Sequence, residues 1–167
     1  MQALCEGLCH CSLPSLTFFD LGTNKFGPAG AEAFAAALRR GTMPRLVVLS
    51  LNLNPIGNRG VAGLVALLRK LPAFKILDLY MCGIGDEGVA SLVADLGKDD
   101  FKALICLWLS HNNITDAGMA TLAAALGSGS LPKLRSHQAN ELTFLDQNQS
   151  SASAVQAVED ALSKRSS

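Results

Sequence analysis

The 167-residue chain predicts an α/β repeat protein, each unit supplying one short strand and one helix. Three observations carry this. Apolar unit starts recur at Leu16, Leu46, Phe74 and Leu104, with spacings of 30, 28 and 30 residues. Each start leads into a two-residue alternation and then a stretch with helical spacing. A turn residue and a glycine return at fixed offsets between those two patterns.

The clearest unit runs from Leu104 to Lys133. Leu107 and Leu109 flank Trp108, so the leucines face one side of a strand and the tryptophan the other. Asn112 follows where the chain must turn, and its amide can satisfy backbone groups that neither strand nor helix pairs. Asp116 stands at the expected helix start, where a carboxylate favours free amides and the positive dipole end. Gly118 is expected to let the helix approach the strand layer, and Leu122 and Leu126 to pack back onto it. The other units repeat this order. Their inward strand pairs are Phe19 and Leu21, Leu49 and Leu51, Leu77 and Leu79. The turn holds Asn24, Asn54 and Cys82, followed two residues later by Phe26, Ile56 and Ile84. Helix faces carry Phe34 and Leu38, Leu64 and Leu68, Leu92 and Leu96. One unit cannot bury its own flanks, so the units must stack.

These residues resemble leucine-rich repeats, and the Asn or Cys turn, the period near 29 and the full helix per unit resemble the ribonuclease-inhibitor-like class. That class includes ribonuclease inhibitor, the Ran GTPase-activating protein and the repeat domains of NOD-like receptors. The resemblance implies a horseshoe arc, a solenoid with a parallel β-sheet on its concave face and α-helices on its convex face. It covers residues 16–133 as four repeats.

The ends fit less well. Residues 1–15 read as the close of an earlier repeat, with Leu4 and Leu8 in the helix-face positions and the stack open beside Leu16 to Leu21. Residues 134–167 read as a degenerate repeat and capping helix. Asn140 is the expected turn residue of an irregular fifth strand near His137, and Ser151 the cap of a last helix with Val155, Val158 and Leu162 inward.

Composition narrows the function classes. Lys plus Arg and Asp plus Glu are 14 each, so no net charge recruits nucleic acid or an anionic membrane. No apolar run reaches the roughly 18 residues that cross a bilayer. Five cysteines without framework spacing, and an N-terminal stretch lacking a basic region and a long apolar core, point to an intracellular, cytoplasmic setting. Charged residues are 17% against 49% apolar, which suggests a chain with part of its surface covered.

The concave face takes the strand residues between the leucines. One row is Phe18, Val48, Ile76 and Cys106; the next is Asp20, Ser50, Asp78 and Trp108; the third is Gly22, Asn52, Tyr80 and Ser110. Thr23, Leu53, Met81 and His111 follow. The single Trp and single Tyr thus fall on adjacent strands of the uncovered face. Aromatic side chains there either anchor a partner or stack across the sheet. The expected protein-binding residues are Trp108, Tyr80, Asp78, Ile76, Val48, Phe18, Cys106, His111 and Met81, with the aromatics as anchors, Asp78 as an orienting acceptor and Cys106 as an accessible thiol.

Other features have plainer explanations. Ten basic residues between helix ends and following strands, Arg69, Lys70 and Lys102 among them, compensate helix dipoles. Cys5, Cys9, His10 and Cys11 lack a second ligand pair, so no metal is expected. No phosphate-cradling loop or nucleophile motif is present, and no cofactor or enzymatic activity is expected. The expected role is a non-enzymatic scaffold or adaptor for another protein. One alternative is a structural subunit of a larger multiprotein assembly, held partly through the open N-terminal edge. Another, implied by the resemblance alone, is a GTPase-activating-type regulator of a small GTPase, although no matching catalytic loop is identifiable.

Overall fold

The computed structural model describes residue 7 and residues 13–41, 43–135 and 145–165. Four strands alternate with helices: β1 (Phe18–Asp20), α1 (Pro28–Arg39), β2 (Val48–Ser50), α2 (Gly57–Leu68), β3 (Ile76–Asp78), α3 (Asp86–Val93), β4 (Cys106–Trp108) and α4 (Asp116–Gly127). A last helix, α5, spans Ala152–Ser163. The strands form one parallel sheet in the order β1-β2-β3-β4, with Phe18, Val48, Ile76 and Cys106 side by side and Asp20, Ser50, Asp78 and Trp108 in the next row. Each helix packs on the next, so this is an α/β leucine-rich repeat solenoid.

The inward leucines do what the alternation predicts. Leu21, Leu49, Leu51, Leu77, Leu79, Leu107 and Leu109 are all buried, as are Phe26, Ile56, Ile84 and Ile114 behind the turn. Phe34, Leu64, Leu92 and Leu122 close the core from the helix side. In the first repeat the packing is aromatic, with the Phe34 ring 5.6 Å from that of Phe19 and 6.4 Å from that of Phe26. Helix α3 stops at Val93, earlier than Leu96 led one to expect, with Ala94 extended and Asp95 left-handed. The freed Ala94 carbonyl accepts from Arg69 Nη1 at 3.1 Å, and the buried Asp100 organises the loop between α3 and β4. Its carboxylate accepts from the Gly97 amide and pairs with Lys70 Nζ at 2.5 Å and Arg69 Nε at 3.5 Å. Burial alone would raise the Asp100 pKa. The Lys70 and Gly97 hydrogen bonds and the charges of Lys70 and Arg69 outweigh it and hold the carboxyl below its usual range.

The turn asparagines reach across repeats. Asn54 Oδ1 accepts from the amides of Asn24 and Phe26, while its Nδ2 donates to the carbonyls of Leu21, Leu51 and Asn52. Asn112 makes the same five bonds to Cys82, Ile84, Leu79, Leu109 and Ser110. In the fifth repeat this position belongs to Asn148, which accepts from the Ile114 amide and donates to Leu109, Leu145 and Asp146. The expectation for Asn140 is thereby corrected. Leu134 is a regular unit start, its amide bonded to the Leu131 carbonyl as Leu104 is to Phe101. The extra chain falls between Leu134 and Leu145, where a motif count from Asn140 cannot see it. Residues 136–144, His137 and Asn140 included, lie outside the described residues, as do Leu4, Leu8 and the cysteines at 5, 9 and 11. Ser151 caps α5 by accepting from the Ala154 amide, with Val158 and Leu162 buried as expected.

A second ladder joins the helix starts. Asn58 Oδ1 accepts from the Gly85 amide; the Asp86 carboxylate accepts from the Thr115 amide and hydroxyl; Asp116 does the same for Ser151. These side chains therefore serve the helix start of the following repeat; the cap of α4 itself is Thr115, whose hydroxyl oxygen accepts from the Ala117 amide, while Asp116, expected in that role, bonds to the start of α5. The recurring glycine serves this layer. A Cβ on Gly118 would fall against the Asp86 carboxylate and 2.7 Å from Ile114 Cγ2, and one on Gly88 2.8 Å from Asn58 Oδ1. The close approach is to the neighbouring helix start, not to the strands.

Denaturant unfolding tests the turn ladder, the glycine layer and the buried carboxylate. Asn112→Ala strands buried amides and carbonyls and should cost about 3 kcal/mol, whereas Asn24→Ala, exposed and bonded to the Leu21 and Gly22 carbonyls, should cost about 1 kcal/mol or less. Equal losses would refute the ladder. Gly118→Ala should destabilise by roughly 1 to 3 kcal/mol, while Gly127→Ala, with nothing within 4 Å, should stabilise by about 0.5 kcal/mol. Because the folded Asp100 pKa is depressed, its contribution is complete above the unfolded carboxyl value near ~4 and is lost as pH falls through the folded value. Asp100→Asn should therefore be less stable than the parent at neutral pH and lose less stability on acidification.

Candidate functional site on the uncovered sheet face

The sheet ladder continues beyond the assigned strands. The amides of Thr23, Leu53 and Met81 donate to the carbonyls of Asn52, Tyr80 and Ser110, and His111 donates to Asp146. Each of these donors, and Gln147 in the fifth repeat, has a left-handed backbone, with φ between 54° and 60°. That conformation costs a non-glycine residue about 1 kcal/mol, and at Thr23, Leu53, Met81 and His111 the ladder bond holds it in place. It also turns the side chain to the outer rim of the sheet face, which puts Leu53 and Met81 in solvent.

Among the described residues the exposed large apolar side chains are Phe18 (58% exposed), Met81 (50%), Leu53 (43%) and Trp108 (41%). All four lie on the face that carries no helix. Leu53 shares the row of Met81 and His111 but was not among the expected binding residues; the left-handed backbone common to that row leaves its side chain in solvent as it does that of Met81. Val48, Ile76 and Tyr80 are half-buried on the same face, and His111 is exposed.

Four of the expected residues converge. Asp78, Tyr80, Trp108 and His111 line one basin of about 630 Å³. The Tyr80 and His111 rings meet edge to face at 4.9 Å. Asn52 and Ser110 complete the floor, and Asp146 and Gln147 the wall from the fifth repeat, a contribution the sequence hid behind its irregular register. Phe18, Val48, Ile76, Cys106 and Met81 lie outside this basin.

Two roles change. Asp78 is 5% exposed and already occupied: Oδ1 accepts from the Tyr80 amide at 3.0 Å, and Oδ2 from Asn52 Nδ2 at 2.9 Å and Ser50 Oγ at 3.2 Å. It orders the basin floor. Cys106 is 3% exposed, so the expectation of an accessible thiol is overturned; a small side chain between the longer ones of β3 and Trp108 is covered by them. Burial and then the Asp78 charge push the Cys106 thiol up to about 11, despite a hydrogen bond with Trp108. Cys82, at the turn, is buried with its sulfur 3.2 Å from the Leu51 carbonyl, and burial raises it to about 12. Among the described residues no group of three or more His, Cys, Asp or Glu is placed to hold a metal ion, and no helix is long and apolar enough to cross a membrane.

At pH 8 native protein treated with iodoacetamide should keep Cys82 and Cys106 unmodified, and denaturant should expose both. Peptide mass mapping would read this out, and native labelling of Cys106 would contradict its burial.

A family model described as Leucine Rich repeat matches residues 12–35, 43–65, 72–93 and 104–123, more than half of the chain. The Tonsoku-like protein of Bos taurus is 33% identical over 126 residues, which is 74% of this chain and 9% of that protein. The chain thus spans only a small part of the length of this curated relative. In fold it is similar to the solved structure of Leiomodin-1 Actin-Binding Site 2 (ABS2), with a TM-score of 0.63 and 12% sequence identity, covering 97% of this chain and 87% of that one. The matched segments coincide with the four strand-turn-helix units, and the chain belongs to the leucine-rich repeat family.

Proposed function

We propose that this chain is a non-enzymatic protein-binding scaffold of the ribonuclease-inhibitor-like class that takes its partner on the uncovered sheet face. The carrying observation is that Phe18, Leu53, Met81 and Trp108, the large apolar side chains left in solvent among the described residues, share that face. Scattered apolar exposure is ordinary, whereas gathering on one face marks an interaction surface. Trp108 and Tyr80 supply rigid amphipathic area at small entropic cost, and His111 braces the Tyr80 ring. The adaptor reading agrees with the similarity in fold to Leiomodin-1 Actin-Binding Site 2, without making actin the partner here. A turn position that accepts either Asn54 or Cys82, with a helix in every repeat, supports the subclass.

Trp108→Ala is the direct test. With 41% of the residue already exposed, its unfolding midpoint should move little, whereas partner affinity should fall by about 2 kcal/mol, roughly thirtyfold. Affinity capture with quantitative mass spectrometry, run beside the helix-side control Arg59→Ala, would show a partner lost only with Trp108→Ala. Partners retained equally by both variants would exclude this face.

A further inference from the structure

We propose that the partner segment inserts an arginine side chain into the basin formed by Trp108, Tyr80, Asp78 and Asp146, a deepening that rests on the sheet-face reading. Charge distinguishes this face from the rest of the chain. The four rows of the uncovered face contain the carboxylates Asp20 and Asp78 and no lysine or arginine. The fifth repeat adds Asp146 to the basin wall. Among the described residues the sheet face and the basin thus carry carboxylates and His111 but no lysine or arginine, although the chain as a whole is neutral. Ten of its fourteen cations lie between helix ends and following strands, as Arg69 and Lys70 do against Asp100, and the other four are Lys25 in the turn after β1, Arg59 in α2, and Lys164 and Arg165 at the end of α5.

Asp78 makes the site specific. It is buried, and its three hydrogen bonds come from neutral donors, the Ser50 hydroxyl, the Asn52 amide group and the Tyr80 backbone. The ion pairs among the described residues involve Glu32, Asp99 and Asp100, none of them on this face. The Asp78 charge is therefore held in place by dipoles and left uncompensated, and it reaches its neighbours: after burial, it raises the Cys106 thiol. A cation arriving from a partner meets a field already oriented toward it.

The aromatic groups choose the cation. Trp108 sits beside Asp78 in strand register, and Tyr80 follows two residues on. A guanidinium is planar, stacks on such rings and still directs its N–H fork at a carboxylate, whereas an ammonium is a compact, strongly hydrated point charge. The Asp146 carboxylate, at the rim, has no hydrogen bond or ion pair among the described residues and offers the free fork acceptor. The space of about 630 Å³ exceeds one guanidinium and leaves room for the segment that carries it.

The experiment uses the purified full chain and peptide arrays whose members share randomised flanks around one central residue, Arg, citrulline or Glu. Citrulline keeps the shape of arginine and removes its charge. Retained peptides are then titrated by intrinsic fluorescence, which reports on Trp108 because it is the single tryptophan of the chain. The expected result is selective retention of Arg peptides, affinity about tenfold above their citrulline counterparts, and a preference that shrinks with added salt. Asp146→Asn should erase most of that preference without altering the fold, and Asp78→Asn should do so if it folds. Citrulline or Glu peptides that bind and perturb Trp108 as well as Arg peptides would overturn the inference while leaving the sheet-face reading standing. An Arg preference unchanged in Asp146→Asn and in folded Asp78→Asn, or an array without Arg-dependent retention, would overturn it too. The sheet-face reading itself falls only if natural partners bind Trp108→Ala undiminished.

Discussion

Between strand and helix the chain must cross the interior, where no regular backbone partner exists for its amides and carbonyls. Asn54, Asn112 and Asn148 resolve this, each accepting from the preceding repeat and donating to carbonyls of both repeats. A buried amide or carbonyl left unpaired costs about 1 to 3 kcal/mol, so each such side chain at the turn stabilises the leucine core on both sides of it. Cys82 is the variation on this theme. Its thiol reaches the Leu51 carbonyl but offers fewer bonds than an amide group, and it sits between the asparagine-closed turns of Asn54 and Asn112.

Holding the turns in register holds everything on either side of them. Toward the helices, Asn58, Asp86 and Asp116 tie each helix start to the next, and the glycines at 60, 88 and 118 keep the spacing that those bonds require. Toward the sheet, the ladder holds Thr23, Leu53, Met81 and His111 in left-handed conformations, which Gln147 of the fifth repeat shares. The same constraint that satisfies the backbone thus sends bulky side chains out along the rim of the uncovered face. Binding surface here is a by-product of how the turn is closed.

Much of this was legible in the residues. Leu107 and Leu109 around Trp108, then Asn112, Ile114 and Gly118, specify a strand, a turn and a helix through local rules of alternation and capping, and the matching offsets in three more units leave little freedom. The apolar row and the two aromatics of the sheet face followed from the same alternation. What escaped was non-local. Asn140 copies the motif, but Asn148 occupies the turn, because the choice depends on which amide group reaches the Ile114 amide and the Leu109 carbonyl. Helix α3 ends early where Arg69 from the previous repeat, paired with the buried Asp100 carboxylate, takes the Ala94 carbonyl just past its last turn.

The sequence by itself determined the architecture, the inward and outward sets of side chains, and the absence of charged lysine and arginine from the strand rows. These depend on periodicity, which any stretch of chain displays unaided. Only the tertiary structure decided what each outward residue can do. Asp78 and Cys106 occupy the same kind of alternating position as Trp108, yet neighbours cover the first two and leave the third exposed. Asp146 and Gln147 joined the basin only when the fifth turn found its register. Exposure, hydrogen-bond occupancy and unneutralised charge are properties of neighbours brought from other repeats, and no local pattern records them.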